Sequence, residues 1–215
     1  MLRLYSYFRS SAAYRVRIAL NLKGLDYQTV AVHLLRNGGE QRSAEYRQAN
    51  PQGLVPFLET EQGGIGQSLA ILEYLEELYP TPALLPADPF LRAKVRAFAL
   101  HIACDIHPLN NLRVLQHLTG TLGISEDAKL AWIQRWIADG FRALEDELSR
   151  QTHRGPYCFG EQLTLADVCL VPQWFNAERF QCELNPYPRL AVAVKVCRDL
   201  EAFKAASPAR QLDAE

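Results

Sequence analysis

Over about the first 80 residues, short apolar runs switch between two periods. Residues 2–7 alternate as a strand does. In residues 11–22, Ala12, Val16, Ala19 and Leu20 share one face of a 3.6-residue period, and Tyr14, Arg17 and Asn21 share another, which predicts a helix. Lys23-Gly24 then fits a helix stop. Residues 27–32 read as a second strand. Residues 57–66 read as two short strands separated by Gly63-Gly64. In residues 68–78 the pattern predicts a helix with Leu72, Leu75 and Leu78 inward and Glu73, Glu76 and Glu77 outward. A β-α-β segment followed by β-β-α is a compact α/β domain. Residues 79–89 carry four prolines, Pro80, Pro82, Pro86 and Pro89, and cannot form a continuous helix. Beyond this linker strand signals nearly vanish, and residues 89–118, 126–148, 165–175 and 190–206 read as helices. The expected organisation is an α/β domain over 1–82 and an all-α domain over 88–215.

Composition narrows the function classes. The chain has 215 residues, 48% hydrophobic and 22% charged, with a formal net charge of -1. That is ordinary for a globular protein, and the bulk charge gives no reason to expect nucleic acid as a partner. The N-terminus lacks the apolar core of a secretory signal, and no apolar run approaches the roughly 20 residues of a membrane helix. A cytoplasmic protein without a membrane partner is expected. The cysteines, Cys104, Cys158, Cys169, Cys182 and Cys197, are odd in number and scattered, which suggests free thiols in a reducing compartment. No C-x-x-C occurs, so neither a zinc ribbon nor a dithiol motif is supported, and no metal site is expected.

Three segments of the α/β half carry candidate chemistry. Ser10-Ser11 lies between the first strand and first helix, where serines cap and where N–H groups and the helix dipole favour an anion. A serine hydroxyl there could donate to a thiolate. Lowering a thiol pKa from about 8.5 by about two units takes about 2.7 kcal/mol, within reach of a hydroxyl bond plus a helix end. Val55-Pro56 opens a strand after a loop; a cis bond there would turn the Val55 N–H and C=O outward to hold a peptide as an added strand does. Gln67-Ser68 opens the next helix, whose N–H groups could receive a carboxylate. Each has a plainer reading when taken alone: two caps and a proline turn. Together they supply a thiolate site, a backbone clamp and a carboxylate site, the three needs of glutathione.

This combination resembles the thioredoxin-like domain of the glutathione transferases, and the zeta class most closely. Tyr5-Ser6-Tyr7-Phe8-Arg9 leads into the pattern S-S-x-x-x-R-V-R-I-A-L ending at Leu20. Lys23-Gly24, the N-P-x-x-x-V-P pattern of residues 50–56 and the Q-S-L-A-I-x-E-Y-L-E-E pattern of residues 67–77 follow. Past the linker the likeness continues through Ile106-His107-Pro108-Leu109-Asn110-Asn111-Leu112, residues 165–173 and residues 176–180. The long N-terminal match is specific; the short Q-S and V-P patterns are not. The resemblance implies an α/β thioredoxin-like domain followed by an all-α domain, glutathione as cofactor and a homodimer. It implies that Ser10 and Ser11 contact the glutathione sulfur, and that Val55 pairs with the cysteinyl backbone. Gln67 and Ser68 would take the γ-glutamyl carboxylate, and Gln41, His107 and Asn111 would add further contacts. Two positions depart from the family. Ala12 stands where many members carry cysteine, which puts cysteine redox chemistry in doubt. Arg113 stands where a small polar residue is found, which could favour a more acidic substrate.

The activity implied is cis-trans isomerisation of a dicarboxylic enone, as in maleylacetoacetate isomerase of tyrosine and phenylalanine catabolism. Such a substrate needs cations, and Arg9, Arg15, Arg113 and Arg179 are the candidates. Maleylpyruvate isomerisation, glutathione transfer or dehalogenation on α-halo acids, and a glutathione-fold binding protein without turnover are the alternatives. Thr164-Leu165-Ala166-Asp167 reads as a capping box, a folding element rather than a catalytic one. Trp132 and Trp136, at i and i+4, read as packing residues.

Overall fold

The computed structural model describes residues 1–151 and 155–215. In chain order the elements are β1 (Leu2–Ser6), α1 (Ser11–Leu22), β2 (Tyr27–Ala31), α2 (Ala44–Ala49), β3 (Phe57–Thr60), β4 (Gly63–Gly66), α3 (Ser68–Leu78), α4 (Pro89–Leu100), α5 (Leu112–Gly120), α6 (Glu126–Ser149), α7 (Leu165–Arg179), α8 (Pro188–Asp199) and α9 (Glu201–Ala206). They form two compact units. Met1–Leu84 joins Arg198–Glu215 in the first, and Leu85–Cys197 makes the second. The sequence reading groups 88–215 together, whereas Arg198–Glu215 packs on the α/β unit.

The first unit is built on a four-stranded sheet ordered β2-β1-β3-β4. β1 runs parallel to β2 and antiparallel to β3, and β3 runs antiparallel to β4. The β3–β4 turn falls at Glu61-Gln62, and Gly63-Gly64 are strand residues rather than the turn. Packing explains the glycine: a Cβ on Gly64 would lie 2.0 Å from the Phe57 ring.

Helix α1 begins where its serine cap predicts and is buried on every side from Ser11 to Leu20. Its apolar face packs within the unit, while its polar face meets α9. There the Tyr14 hydroxyl donates to Phe203 O (3.4 Å), Arg17 Nε to Ala206 O (3.0 Å) and Asn21 Nδ2 to Ala202 O (3.0 Å). Helix α3 departs from the simple inward-outward pattern. Leu72 and Leu75 are fully buried, but Leu78, in the last turn, is exposed. Glu76, expected outward, accepts Lys23 Nζ (2.7 Å) and the Leu84 N–H (2.9 Å). Lys23 Nζ also donates to Tyr79 O and Pro82 O, so the helix-stop lysine pins the start of the linker.

In the second unit Asp88 caps α4 through the Leu91 N–H (2.7 Å), with Pro89 at the first helical position. The predicted helix 89–118 is three pieces: α4, a π-helical stretch His101–Ile106, and α5 after a short turn at Pro108–Asn110. The wide turn fits α6, whose Gly140 leaves room for Ile106; a Cβ there would lie 2.3 Å from Ile106 Cδ1. The predicted helix 190–206 is likewise broken, at Leu200, into α8 and α9. Asp167 accepts the N–H groups of Cys158 (2.8 Å) and Thr164 (2.9 Å) and completes a capping box on α7. No helix among the described residues is long and apolar enough to cross a membrane.

Candidate active site

Strand register gathers the three candidate segments of the α/β unit at one end of the sheet. Tyr5 pairs with Phe57, and Phe57 with Gly66. The loop after β1, the approach to β3 and the exit from β4 therefore share that end. Parallel pairing of Ser6 with Ala31 brings the loop after β2, which carries Gln41, to the same end.

Ser10 is the N-cap of α1. Its Oγ accepts the Ala13 N–H at 3.2 Å, and its own N–H donates to Tyr7 O at 2.9 Å. Acting as a cap uses the oxygen as an acceptor and leaves the hydroxyl proton to be donated. Ser10 is half-buried, whereas Ser11 is 3% exposed and faces the interior of the unit. Arg9 is half-buried beside Ser10, its guanidinium 4.8 Å from the Phe8 ring centroid.

At the start of α3 the N-cap is Gln67, not Ser68. Gln67 adopts φ 66°, a left-handed conformation that costs of order 1–3 kcal/mol in a non-glycine residue. Its Nε2 donates to Gln52 Oε1 (2.8 Å). Ser68 is the first helical residue and is buried, and its Oγ accepts Arg15 Nη1 at 3.1 Å. Arg15, expected among the substrate contacts, is instead 1% exposed and interior, bracing Ser68. Its charge lies beneath a helix N-terminus, and both favour an anion there.

The peptide bond between Val55 and Pro56 is cis, as the proline pattern suggests. Val55 lies outside the ladder, two residues before β3 begins. The loop before it is tightly held: Leu54 O accepts the Tyr46 hydroxyl (2.6 Å) and Asn50 Nδ2 (2.8 Å). Burial pushes the Tyr46 phenol up to about 12, so it stays a donor at any physiological pH. Gly53, at φ 60°, lets this loop touch the one that carries Gln41; a Cβ would sit 2.9 Å from Gln41 O. Gln41 is buried. Its Nε2 donates to Leu34 O, and its Oε1 has no hydrogen-bond partner among the described residues.

The remaining candidates lie in the helical unit. His107 follows the π-helical stretch. Asn111 caps α5, accepting the Arg113 N–H at 3.2 Å, and the turn before it is fixed by Trp132 Nε1 donating to Leu109 O (2.9 Å). That bond gives Trp132 a positioning task beyond packing. Arg113 is exposed in the first turn of α5, and Arg179 is exposed in the last turn of α7, 4.6 Å from the Phe180 ring centroid.

Sequence reasoning passes over Arg17. It is fully buried, and donates from Nη1 to Ser6 Oγ (2.9 Å) and from Nη2 to Phe8 O (3.1 Å), beneath the loop that carries Ser10. Burial lowers its pKa to about 10, so it remains charged at neutral pH. Two arginines, Arg15 and Arg17, within a helix that reads mostly as packing residues are the available signal.

The chain matches the family models of the glutathione S-transferase N-terminal domain over residues 4–83 and C-terminal domain over residues 130–192. It is 52% identical to a probable maleylacetoacetate isomerase of Vibrio cholerae, over 98% of this chain and 97% of that one. Among solved structures, a maleylpyruvate isomerase described as a bacterial zeta-class glutathione S-transferase superposes with TM-score 0.96 at 48% identity, covering 99% of this chain and 100% of that one. A maleylacetoacetate isomerase from Anaeromyxobacter dehalogenans, holding dicarboxyethyl glutathione and citrate in its active site, superposes with TM-score 0.88 at 43% identity, covering 100% of this chain and 94% of that one. On these matches, which run the length of a chain whose sheet end gathers a capping serine, a cis Val55-Pro56 bond and a charged helix start, this chain belongs to the glutathione S-transferase family, in its zeta class.

Proposed function

We propose that the chain is a glutathione-dependent cis-trans isomerase of a dicarboxylic enone, maleylacetoacetate first among them. The observation that carries this reading is Ser10: an N-cap hydroxyl with a proton still to give, at a helix start, in a chain half identical to a probable maleylacetoacetate isomerase. Ser10 donates to the glutathione thiolate. The Val55 backbone pairs with the cysteinyl residue, and Ser68, Gln67 and the α3 N-terminus take the γ-glutamyl carboxylate over the Arg15 charge. Gln41 offers its unpaired Oε1 to a glutathione N–H. His107 and Asn111 stand as further contact residues on the strength of the family resemblance.

The thiolate adds to the carbon-carbon double bond, and the electron pair moves onto the conjugated carbonyl as an enolate. The former double bond is now single and rotates. Collapse of the enolate re-forms the double bond in the trans geometry and expels the thiolate, so glutathione is regenerated. Arg9 holds a substrate carboxylate or the enolate beside the sulfur, with Arg179 and Arg113 as the further cations. The bound dicarboxyethyl glutathione of the Anaeromyxobacter dehalogenans relative carries this pattern, a sulfur joined to a two-carboxyl carbon skeleton. We place the enzyme in the cytoplasm as a homodimer, in tyrosine and phenylalanine breakdown.

Maleylpyruvate is the second substrate to test, because a maleylpyruvate isomerase superposes over nearly the whole chain. Purified protein is assayed on both acids with and without glutathione. Glutathione-dependent turnover of maleylacetoacetate at the higher kcat/KM supports the reading. Turnover independent of glutathione, or none on either acid, sinks it.

A further inference from the structure

The last residues of the chain reach back to the two loops that carry Ser10 and Gln41. Gln211 Nε2 donates to Ala205 O and Ser207 O, both at 2.9 Å, and so folds the tail against the end of α9. Beyond it, Asp213 Oδ2 accepts the Phe8 N–H at 3.0 Å, two residues before Ser10. The Asp213 charge also acts on Arg17, which binds Phe8 O from the other side and Ala206 O in α9. The Phe8 peptide flank is therefore held at its N–H by the tail and at its C=O by Arg17.

Glu215 meets the second loop. It pairs with the Arg36 guanidinium, and its Oε1 lies 3.5 Å from His33 Nε2. His33 Nδ1 accepts the N–H groups of Leu35 (3.2 Å) and Arg36 (2.8 Å), so that nitrogen carries no proton and Nε2–H faces Glu215. The His33 N–H in turn donates to Glu40 Oε2 (2.6 Å), one residue before Gln41. Between the loops, the Tyr7 ring packs edge-on against both Phe8 and His33, with centroids 4.8 Å apart in each pair. One short tail thus ties both loops through hydrogen bonds and charge, and Leu212, just before Asp213, is 98% exposed.

We infer that residues 207–215 are a working part of the glutathione site, with Asp213 and Glu215 as positioning residues that fix the Ser10 loop and the Gln41 loop in one arrangement. This rests on the reading that those loops bind glutathione. A site whose loops are already ordered binds its ligand without paying to order them, so loosening the tail costs glutathione affinity and the hydroxyl aim of Ser10. Of the proposed substrate cations, Arg113 and Arg179 lie in the helical unit and only Arg9 shares the Ser10 loop, so the maleylacetoacetate KM rises less than that of glutathione.

The test compares full-length wild type with Asp213→Ala, Asp213→Asn and Asp213→Ala/Glu215→Ala. Each is measured for glutathione KM, maleylacetoacetate KM, the pKa of the bound thiol by ultraviolet titration, and melting temperature. Losing a charged acceptor raises the glutathione KM of Asp213→Ala roughly fivefold to tenfold and raises the bound-thiol pKa, while maleylacetoacetate KM stays within about twofold. Asp213→Asn, which keeps an oxygen for the Phe8 N–H, falls between it and wild type, and the double variant is the weakest binder. A lower melting temperature with glutathione KM and thiol pKa unchanged overturns the inference, as does an equal rise in both KM values. Wild type that fails to bind glutathione in calorimetry overturns the proposed function and the inference with it. Wild type that binds, alongside an Asp213→Ala that matches it, overturns the inference alone.

Discussion

In the proposed reaction, Ser10 serves the fold and the chemistry without conflict. Its Oγ caps α1 by taking the Ala13 N–H on a lone pair, and the hydroxyl proton is left for the thiolate, so the helix start and the reagent do not compete. Replacing Ser10 by Ala removes both. A hydrogen bond to a charged group is worth about 1.5–3 kcal/mol, so Ser10→Ala should lower kcat/KM by roughly ten- to 150-fold, with the bound-thiol pKa raised in parallel. Ser11→Ala, a change at an interior position, should lower activity far less at equal protein fold; steady-state kinetics on both variants separates the two serines. The cysteines give a second residue-scale test. Cys158 and Cys197 are buried, and desolvation pushes both thiols well above the ordinary range; Cys182 is pushed to about 11. Cys104 is exposed. The nucleophile is the thiolate, so a native thiol titration should show Cys104 reacting first, with Cys158 and Cys197 released only on unfolding. Mass mapping of the first alkylated peptide checks it.

At the scale of elements, what the sequence makes legible is what neighbours in sequence decide. The serine cap and the Lys23-Gly24 stop mark α1 to the residue, and Thr164-x-x-Asp167 marks α7. Breaks were legible only where proline or glycine makes them. Pro108 marks the break before α5, but the π-helical stretch ahead of it carries no local signal, and the short helix α2 has a pattern of one apolar ring, Tyr46, too brief to show a period. Glu76 was assigned outward by its chemistry, but Lys23 arrives from 53 positions away to bury it. That pair is a stability element. The Lys23 side chain is 0% exposed and makes three hydrogen bonds. Removing one partner of a buried pair leaves the other uncompensated, at about 3–5 kcal/mol. Lys23→Ala should lose about that much in urea unfolding, and Lys23→Ala/Glu76→Gln should lose less than the sum of the singles. Of the candidate site, the serine pair, Val55 and Gln67-Ser68 were legible because each sits at an element boundary with its own local signal. Arg15 was not: its sign is right for an anion site, but only the packing of α1 against α3 turns it inward to Ser68.

For the whole molecule, residues 198–215 belong to the unit that residues 1–84 form. Helix α1 is buried all round, yet one of its faces is Tyr14, Arg17 and Asn21, which an apolar neighbour could not satisfy. Helix α9 solves this with carbonyls: Ala202, Phe203 and Ala206 each accept from that face, about 180 residues along the chain from their donors. A six-residue helix with no long period gives no sequence signal of such a destination. The arrangement predicts the effect of ending the chain at Cys197. The α/β unit would keep its sheet, but three side chains of α1 would lose their partners and Phe203, 1% exposed, would no longer cover them. Three hydrogen bonds at about 1 kcal/mol each and about 2 kcal/mol for one buried phenylalanine give a loss of about 5 kcal/mol. That is a large share of a typical domain's 5–15 kcal/mol. The truncated protein should therefore unfold at markedly lower urea. Residues 198–215 belong to the first unit, so the loss should fall on that unit, leaving amide exchange slow in α6 and α7 while it quickens in β1 and α1. Uniform quickening across both units would refute the assignment of Arg198–Glu215 to the α/β unit.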